Sequence, residues 1–387
     1  MKAKMPVNRI PTLYPVPLDG PGGPVQSCHK IARAMFDIGV RTPLYLLRKR
    51  VDISPVETVS ALPAWTVRLP RARTIAVGRK RIEKMYYNQT RREELCVLWP
   101  GVSVDLVRAL KDRGNPVVLE AINTPMRHAR SILDAAYARI GTAPTHLITP
   151  ARIQQEEAIY ALADAIFCPS PVVEDALQDT PFQGTILSTS RGIHDPDRPL
   201  PDRASRREDA QIICLFVGTA NVRKGMDRLL ELWPDMPDNM ILRIVGKIEP
   251  LIADRYAQAL QHPRVQTVGF TKDVGREYDN ADIFIFPTRE EGDPKVTYEA
   301  ANAGLPLVVS RVGGGRFHAE TGACVLIDPE DRDTMERQLT QLAANQSRRL
   351  ELGRNGKHSV LDYNWDTIAR KRLALLKDTF PNHVPAQ

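Results

Sequence analysis

Two glutamates with seven residues between them, Glu291 and Glu299, and one cation pair, Arg223 and Lys224, are the residues whose types and spacing could do chemistry. A carboxylate at a ligand-binding sheet edge can take two hydroxyl hydrogens at once. Arg223 and Lys224 are followed by Gly225 and then an apolar, helix-like run. Two cations beside a helix N-terminus make an anion site, because the first backbone N–H groups and the helix dipole add to the side-chain charge.

The flanking sequence places these groups. ADIFIFP is a short apolar run ending at Pro287, followed by a loop with Gly292 and Pro294. A helix is expected from about Val296 to Ala303, stopped by Gly304, and LPLVVS then reads as a buried strand. One carboxylate therefore sits at the carboxyl end of a strand and the other in the next helix. In open α/β sheets, ligands bind at that edge. FVGTANVRKGMDRLLELW has the same order of strand, loop and helix around the cations.

The first half alternates in the same way. TLYPVP, TPLYLL, LCVLWPG, PVVLEAI and AIFCPS read as strands, and Pro24 opens a helix after the turn DGPGG. VDLVRALKDRG, HARSILDAAYARIG and ARIQQEEAIYALA have helical spacing of apolar residues. Such alternation predicts an α/β fold with parallel sheets covered by helices. RGIHDPDRPLPDRASRRED is polar and proline-rich, so residues 191–209 read as a linker. The expected organisation is a first domain over 1–190, a second over 210–365, and a final helix in 366–387.

At 387 residues the chain suits two cores. No apolar run approaches the ~20 residues that cross a bilayer, and MKAKMPVNRIP lacks the apolar stretch of a signal peptide. The five cysteines are scattered and form no C-x-x-C pair, which suggests reduced thiols in a cytoplasmic setting. Residues 1–190 hold 25 Lys and Arg against 17 Asp and Glu, whereas residues 191–387 hold 28 against 29. The excess positive charge is thus confined to the first half, densest at Arg48–Arg50 and from Arg68 to Arg92. Such a run is either a solvated surface or a face that attracts an anionic membrane lipid or an anionic glycan acceptor. No nucleic-acid recognition motif accompanies it. No His, Cys or Asp cluster has metal-ligand spacing.

The segment from Phe286 to Gly314 resembles the E-x7-E region of the retaining glycosyltransferases of the GT4 family, which have the GT-B fold. Phe216–Trp233, LRIVG at Leu242–Gly246, VQTVGF at Val265–Phe270 and DYNWDTIA at Asp362–Ala369 are similar to other family motifs, in the family's order. The resemblance implies two Rossmann-like parallel-sheet domains facing a central cleft, with the last helix crossing back to the first domain. It implies an α-linked nucleotide sugar, UDP- or GDP-linked, as donor substrate, with no separate cofactor and no metal.

By the same resemblance, Arg223 and Lys224 would hold the diphosphate beside Gly218. Glu299 would take the ribose and Glu291 the donor sugar. Gly292, Asp293, Pro294, Lys295 and Val296 would reach the sugar or phosphate, and Gly246 and Phe270 the base. In the first domain, Gly22 and Gly23 would approach the diphosphate or acceptor. The chain departs from the family at three places. Thr219 stands where an arginine is usual, Asp293 where an aromatic is usual, and Pro125 where a subgroup has histidine. Asn123, Thr124 and His128 are the polar candidates to replace that histidine. Glu120 and Tyr137 align with the subgroup, and Glu156, Asp164 and Ser170 read as structural.

The expected activity is sugar transfer to a glycan or lipid-linked glycan, with retention at the anomeric carbon, the domains closing to exclude water. A phosphorylase would need a pyridoxal lysine, which no segment resembles; a nucleotide-sugar epimerase shares the fold. A degenerate GT-B protein that binds nucleotide or glycan without turnover is the non-enzyme alternative.

Overall fold

The computed structural model describes residues 9–19, 23–68, 71–193, 196–205, 211–314, 321 and 323–384. The chain divides into two units. Unit 1 comprises Met1–Met126, Ile148–Gly192 and Trp365–Gln387, and unit 2 comprises Arg127–Leu147 and Ile193–Asn364.

The chain opens with β1 (Thr12–Leu18), α1 (Pro24–Asp37), β2 (Leu44–Lys49), β3 (Thr58–Ser60) and α2 (Arg71–Gln89). Next come β4 (Cys96–Leu98), α3 (Val104–Asp112), β5 (Val117–Glu120), α4 (Met126–Arg139) and α5 (Pro150–Tyr160). Then follow β6 (Ala165–Cys168), α6 (Pro171–Leu177), β7 (Thr185–Ser188), β8 (Ile212–Val217), α7 (Met226–Leu232) and β9 (Met240–Val245). The middle of unit 2 holds α8 (Pro250–Arg255), α9 (Ala257–Leu260), β10 (Val265–Gly269), α10 (Val274–Asn280) and β11 (Ile283–Phe286). The remaining elements are α11 (Lys295–Asn302), β12 (Leu307–Ser310), β13 (Cys324–Ile327), α12 (Arg332–Ala343), α13 (Gln346–Ser359) and α14 (Trp365–Thr379).

Unit 1 is a seven-stranded parallel sheet in the order β3-β2-β1-β4-β5-β6-β7. Both faces are buried, and successive strand residues serve opposite cores. Leu44 and Leu46 of β2 enter one core with Cys28, Ile31, Ala32 and Met35 of α1, while Tyr45 and Leu47 enter the other. The α1 residues recur at i, i+3, i+4 and i+7, the stripe that docks a helix on a sheet. Leu373 and Leu376 of α14 join the first core. Four of the five free cysteines are buried, and Cys28 lies in a helix rather than a strand.

Asp164, Glu156 and Ser170, read from the sequence as structural, fare differently in unit 1. Asp164 accepts the Val117 amide at 2.7 Å and faces Lys111 Nζ at 2.5 Å. Glu156 accepts the Met126 amide at 2.5 Å, and burial pushes its carboxyl up to about 7. Ser170 precedes α6 without a side-chain capping bond. Within the basic segment of the last helix near Lys371–Lys377, Arg372 is buried. It forms a two-bond ion pair with Glu120 and lies 3.7 Å from the Phe167 ring centre. An uncompensated charge could not be buried there, so Glu120 and Arg372 require each other.

Unit 2 is a six-stranded parallel sheet in the order β10-β9-β8-β11-β12-β13. Ile283, Phe284, Ile285 and Phe286 of β11 are all fully buried, as expected for a central strand covered on both faces. The strand order reverses between β8 and β11, so the loops after these two strands leave in opposite directions. α11 ends as the sequence suggests: Gly304 has φ 69, and its amide and that of Leu305 return to Ala301 and Ala300.

The proline-rich span assigned to a linker is structurally engaged. Arg191 Nη2 donates to the Ala121 and Ile122 carbonyls, both at 3.3 Å. Arg203 is buried in unit 2 and donates to the carbonyls of Tyr278, Ala281 and Ala303 at 2.7, 3.0 and 2.6 Å. One guanidinium thus meets the carboxyl ends of both α10 and α11, where helices leave carbonyls unpaired and carry partial negative charge.

Candidate functional site

The switch point of unit 2 collects the charged residues singled out above. The loop after β8 runs Gly218–Gly225, and the loop after β11 runs Pro287–Pro294. They are laced together by backbone contacts: the Arg223 carbonyl accepts from the Arg289 amide at 2.8 Å and from Thr288 Oγ1 at 3.1 Å. Gly225 sits just before α7 with φ 71, and a Cβ there would lie 2.0 Å from the Pro287 carbonyl oxygen. Only glycine permits this approach. Gly246 is constrained likewise, since its Cβ would lie 2.1 Å from the Gly218 carbonyl oxygen.

The cations and the first acid meet directly. Lys224 Nζ lies 2.8 Å from Glu291 Oε1, and Arg223 Nη2 lies 3.3 Å from the same oxygen. Lys224 Nζ also lies 4.7 Å from the Phe286 ring centre, and its chain passes over Gly218. Arg223 Nη1 reaches Glu290 Oε2 at 3.0 Å. Burial works against the charged guanidinium of Arg223, but Glu291 and Glu290 outweigh it and its pKa is raised. Asn221 organises the turn, accepting from the Lys224 amide at 3.0 Å while donating to Glu249 at 2.9 Å.

The second acid lies on α11. Tyr278 donates to Glu299 Oε2 at 3.0 Å, and among the described residues Oε1 takes no hydrogen bond. Burial raises the Glu299 pKa, with Lys295 and the Tyr278 hydroxyl pulling the other way. Glu299 can therefore accept from a hydroxyl through Oε1 while Tyr278 fixes its direction.

The other residues named in the sequence occupy several settings. Asp293 is 2% exposed, and Tyr298 donates to it at 2.5 Å, so its carboxylate anchors the loop from within. Gly292 and Pro294 are buried around it, while Lys295 and Val296 start α11 and are half-buried. Phe270 follows β10 and is 80% exposed, offering an open aromatic face. Gly23 precedes α1 with φ 71, and Gly22 lies outside the described residues. Asn123 is an exposed loop residue of unit 1, whereas His128 is in the first turn of α4 and is grouped with unit 2. Thr124 and Pro125 are buried. Tyr137 pairs its hydroxyl with Thr145 at 2.5 Å.

One site residue carried no signal in the sequence. Arg289 is 7% exposed and clamps the cation loop from below. It donates to both Asp227 oxygens, at 2.7 and 2.8 Å, to the Val222 carbonyl at 2.5 Å and to Glu330 at 2.6 Å. Asp227, in the first turn of α7, is fully buried and also pairs with Arg139 of α4. The partners lie 62 residues apart, and only the fold brings them together. A cavity of about 660 Å³ opens beside this clamp, lined by Thr288, Arg289, Ser310, Val312, Ile132 and Ala136 among others. Among the described residues no group of three or more His, Cys, Asp or Glu is placed to hold a metal ion.

Residues 211–345 match the family model described as "Glycosyl transferases group 1". The lipopolysaccharide glucosyltransferase WaaG of Escherichia coli is 26% identical over 158 residues, 39% of this chain and 42% of that protein. The match spans under half the length of the curated relatives. Among solved structures, a sucrose-phosphate synthase from Thermosynechococcus elongatus aligns with TM-score 0.72 at 18% identity, over 96% of this chain and 99% of that one. The Anabaena protein HepE, in complex with UDP, aligns with TM-score 0.67 at 14% identity, over 96% and 100%. At these identities the structural likeness speaks for the fold alone.

Proposed function

We propose that this chain is a retaining, metal-independent glycosyltransferase; the match of residues 211–345 to the model described as "Glycosyl transferases group 1" and the GT-B fold of two parallel-sheet units support the reading. The observation that carries the reading is the meeting of Arg223, Lys224 and Glu291 at the switch point of unit 2, with Glu299 on the adjoining helix. Arg223, Lys224 and the start of α7 receive the diphosphate of a nucleotide sugar and stabilise it as leaving group. Glu299 accepts the ribose hydroxyls through Oε1, and Phe270 offers a stacking face for the base. Glu291 exchanges Lys224 for sugar hydroxyls when the donor arrives. The cavity beside Thr288 and Arg289 gives room for the sugar or the incoming acceptor. The acceptor hydroxyl attacks the face that the diphosphate leaves, so the new bond stays α.

The donor is UDP- or GDP-linked in this reading. The acceptor is a glycan or lipid-linked glycan of surface polysaccharide synthesis. Relatives named for lipopolysaccharide and capsular polysaccharide synthesis support this, as does the positive charge of residues 1–190. No helix among the described residues is long and apolar enough to cross a membrane. Unit 1 does carry exposed Trp65 and, on α2, exposed Val77 with the exposed cations Arg79, Lys80, Arg81 and Lys84. That mixture suits peripheral contact with an anionic lipid surface at the cytoplasmic face. Co-sedimentation with phosphatidylserine vesicles should exceed that with neutral vesicles and fade in high salt; equal recovery on both would remove the lipid contact.

The donor site is tested by calorimetry with UDP, GDP and ADP on the wild type and on Glu299→Ala. Selective binding of one nucleotide, weakened at least about tenfold in the variant, is expected, since a site built to hydrogen-bond a hydroxyl loses strongly when the acceptor is removed. Binding of none of the three would favour a protein that does not turn over, the reading to which Pro125 in the histidine position also points. The anomeric configuration of the product, read by NMR, tests retention: a β linkage would end it.

A further inference from the structure

Glu290 has no part in the proposed chemistry, yet it is placed against the central cation of the site. Its side chain is 2% exposed, and its Oε2 lies 3.0 Å from Arg223 Nη1. Its backbone carbonyl accepts from Thr288 Oγ1 at 3.2 Å, which fixes the residue from the other side. Glu291 takes the second terminal nitrogen of Arg223 at 3.3 Å and Lys224 at 2.8 Å, and its side chain is 10% exposed. Two cations and two carboxylates therefore cancel at the place where a diphosphate is to bind.

The two acids differ in what they can do next. Glu291 is the more exposed and has sugar hydroxyls to turn to. Glu290 is buried, and a buried carboxylate that gives up its cation pays heavily in desolvation. It therefore stays on Arg223 when the donor enters, and the diphosphate shares that guanidinium with a permanent negative charge.

Resting on the donor site proposed above, we propose that Glu290 is a built-in counter-charge that acts through Arg223 to weaken the hold on the nucleoside diphosphate, so that the product can leave after transfer. The donor keeps its affinity because its sugar draws Glu291 away from Lys224 and frees that cation. The bare product has no sugar and meets a site closer to neutral. Glu290 is thus a positioning residue that orients Arg223 and tempers its charge, and it sets donor preference over product.

The test is Glu290→Gln, which keeps an oxygen facing Arg223 Nη1 and removes only the charge. For whichever of UDP, GDP or ADP the wild type binds, the dissociation constant is expected to fall about tenfold, the size of losing one like charge at short range in a partly buried site. The dissociation constant of the matching nucleoside should stay unchanged, because it carries no phosphate. A merely structural effect would move nucleoside and diphosphate together. Product inhibition should tighten by the same factor, and kcat should fall as release slows. If the glutamine variant is not recovered folded, Glu290→Ala removes the same charge and should shift the diphosphate in the same direction. A charge-removed variant that binds the diphosphate no more tightly than the wild type overturns the inference and leaves the donor site standing. A wild type that binds none of the three nucleotides brings both down.

Discussion

Replacing Lys224 with methionine should lower kcat/KM by about 10²–10³-fold, the usual cost of removing one preorganised donor from a developing anion. Methionine keeps an unbranched apolar chain over Gly218 and beside the Phe286 ring, so the packing survives and only the charge is lost. The variant should melt near the wild-type temperature. Arg223 cannot compensate, because both of its terminal nitrogens already face acids, Glu290 and Glu291. Steady-state kinetics with the cognate donor make the measurement. A loss below about tenfold would count against the proposed diphosphate site on this loop.

The second large effect concerns stability. Asp227→Ala should destabilise unit 2 by about 3–5 kcal/mol, because it strips a buried arginine of its two-bond partner. Arg289 is 7% exposed and would keep Glu330, whose side chain is 46% exposed and cannot replace a fully buried, two-point contact. At about 2–4 °C per kcal/mol for a unit of this size, the melting temperature should drop by roughly 6–20 °C. Adding Arg289→Met to Asp227→Ala should recover part of the loss, since the unpaired buried charge then disappears. A single variant that melts within about 2 °C of the wild type would show that the clamp is not what holds the two loops together.

What was legible in the sequence follows from where the information lies. β11 and α11 could be read because their signals are local: an unbroken apolar run, then Gly304 with the left-handed backbone that ends a helix. α1 was announced by Pro24 in the same way. The short edge strands β3 and β7 had no such signal, being too brief to show a period. The run from Arg68 to Arg92 reads as a dense basic stretch, and much of it is a helix, α2, whose buried residues include Ile82 and Tyr86. Long-range pairing was the least legible. Arg203 stands among prolines and charges that mark exposed chain, and only the folded unit shows three carbonyls converging on it. Arg289 and Asp227 look like ordinary surface charges until β8 and β11 become neighbours. Likewise, Arg223 and Lys224 were legible as cations, but their neutralisation by Glu290 and Glu291 was not.

The grouping of Arg127–Leu147 with unit 2 bears on how this chain can be divided. A boundary drawn at the linker suggests that a fragment starting near residue 193 would be a complete unit, and the family match over 211–345 encourages that choice. Such a fragment lacks α4. It would leave Asp227 without Arg139, and it would lose Ile132 and Ala136 from the wall of the cavity beside Arg289. The complementary fragment ending at residue 192 lacks α14, which leaves Glu120 buried without Arg372. Each unit is assembled from segments distant in the chain, so neither can be excised by a single cut. A truncation series would sample incomplete cores, and grafting unit 2 onto another protein requires carrying α4 with it.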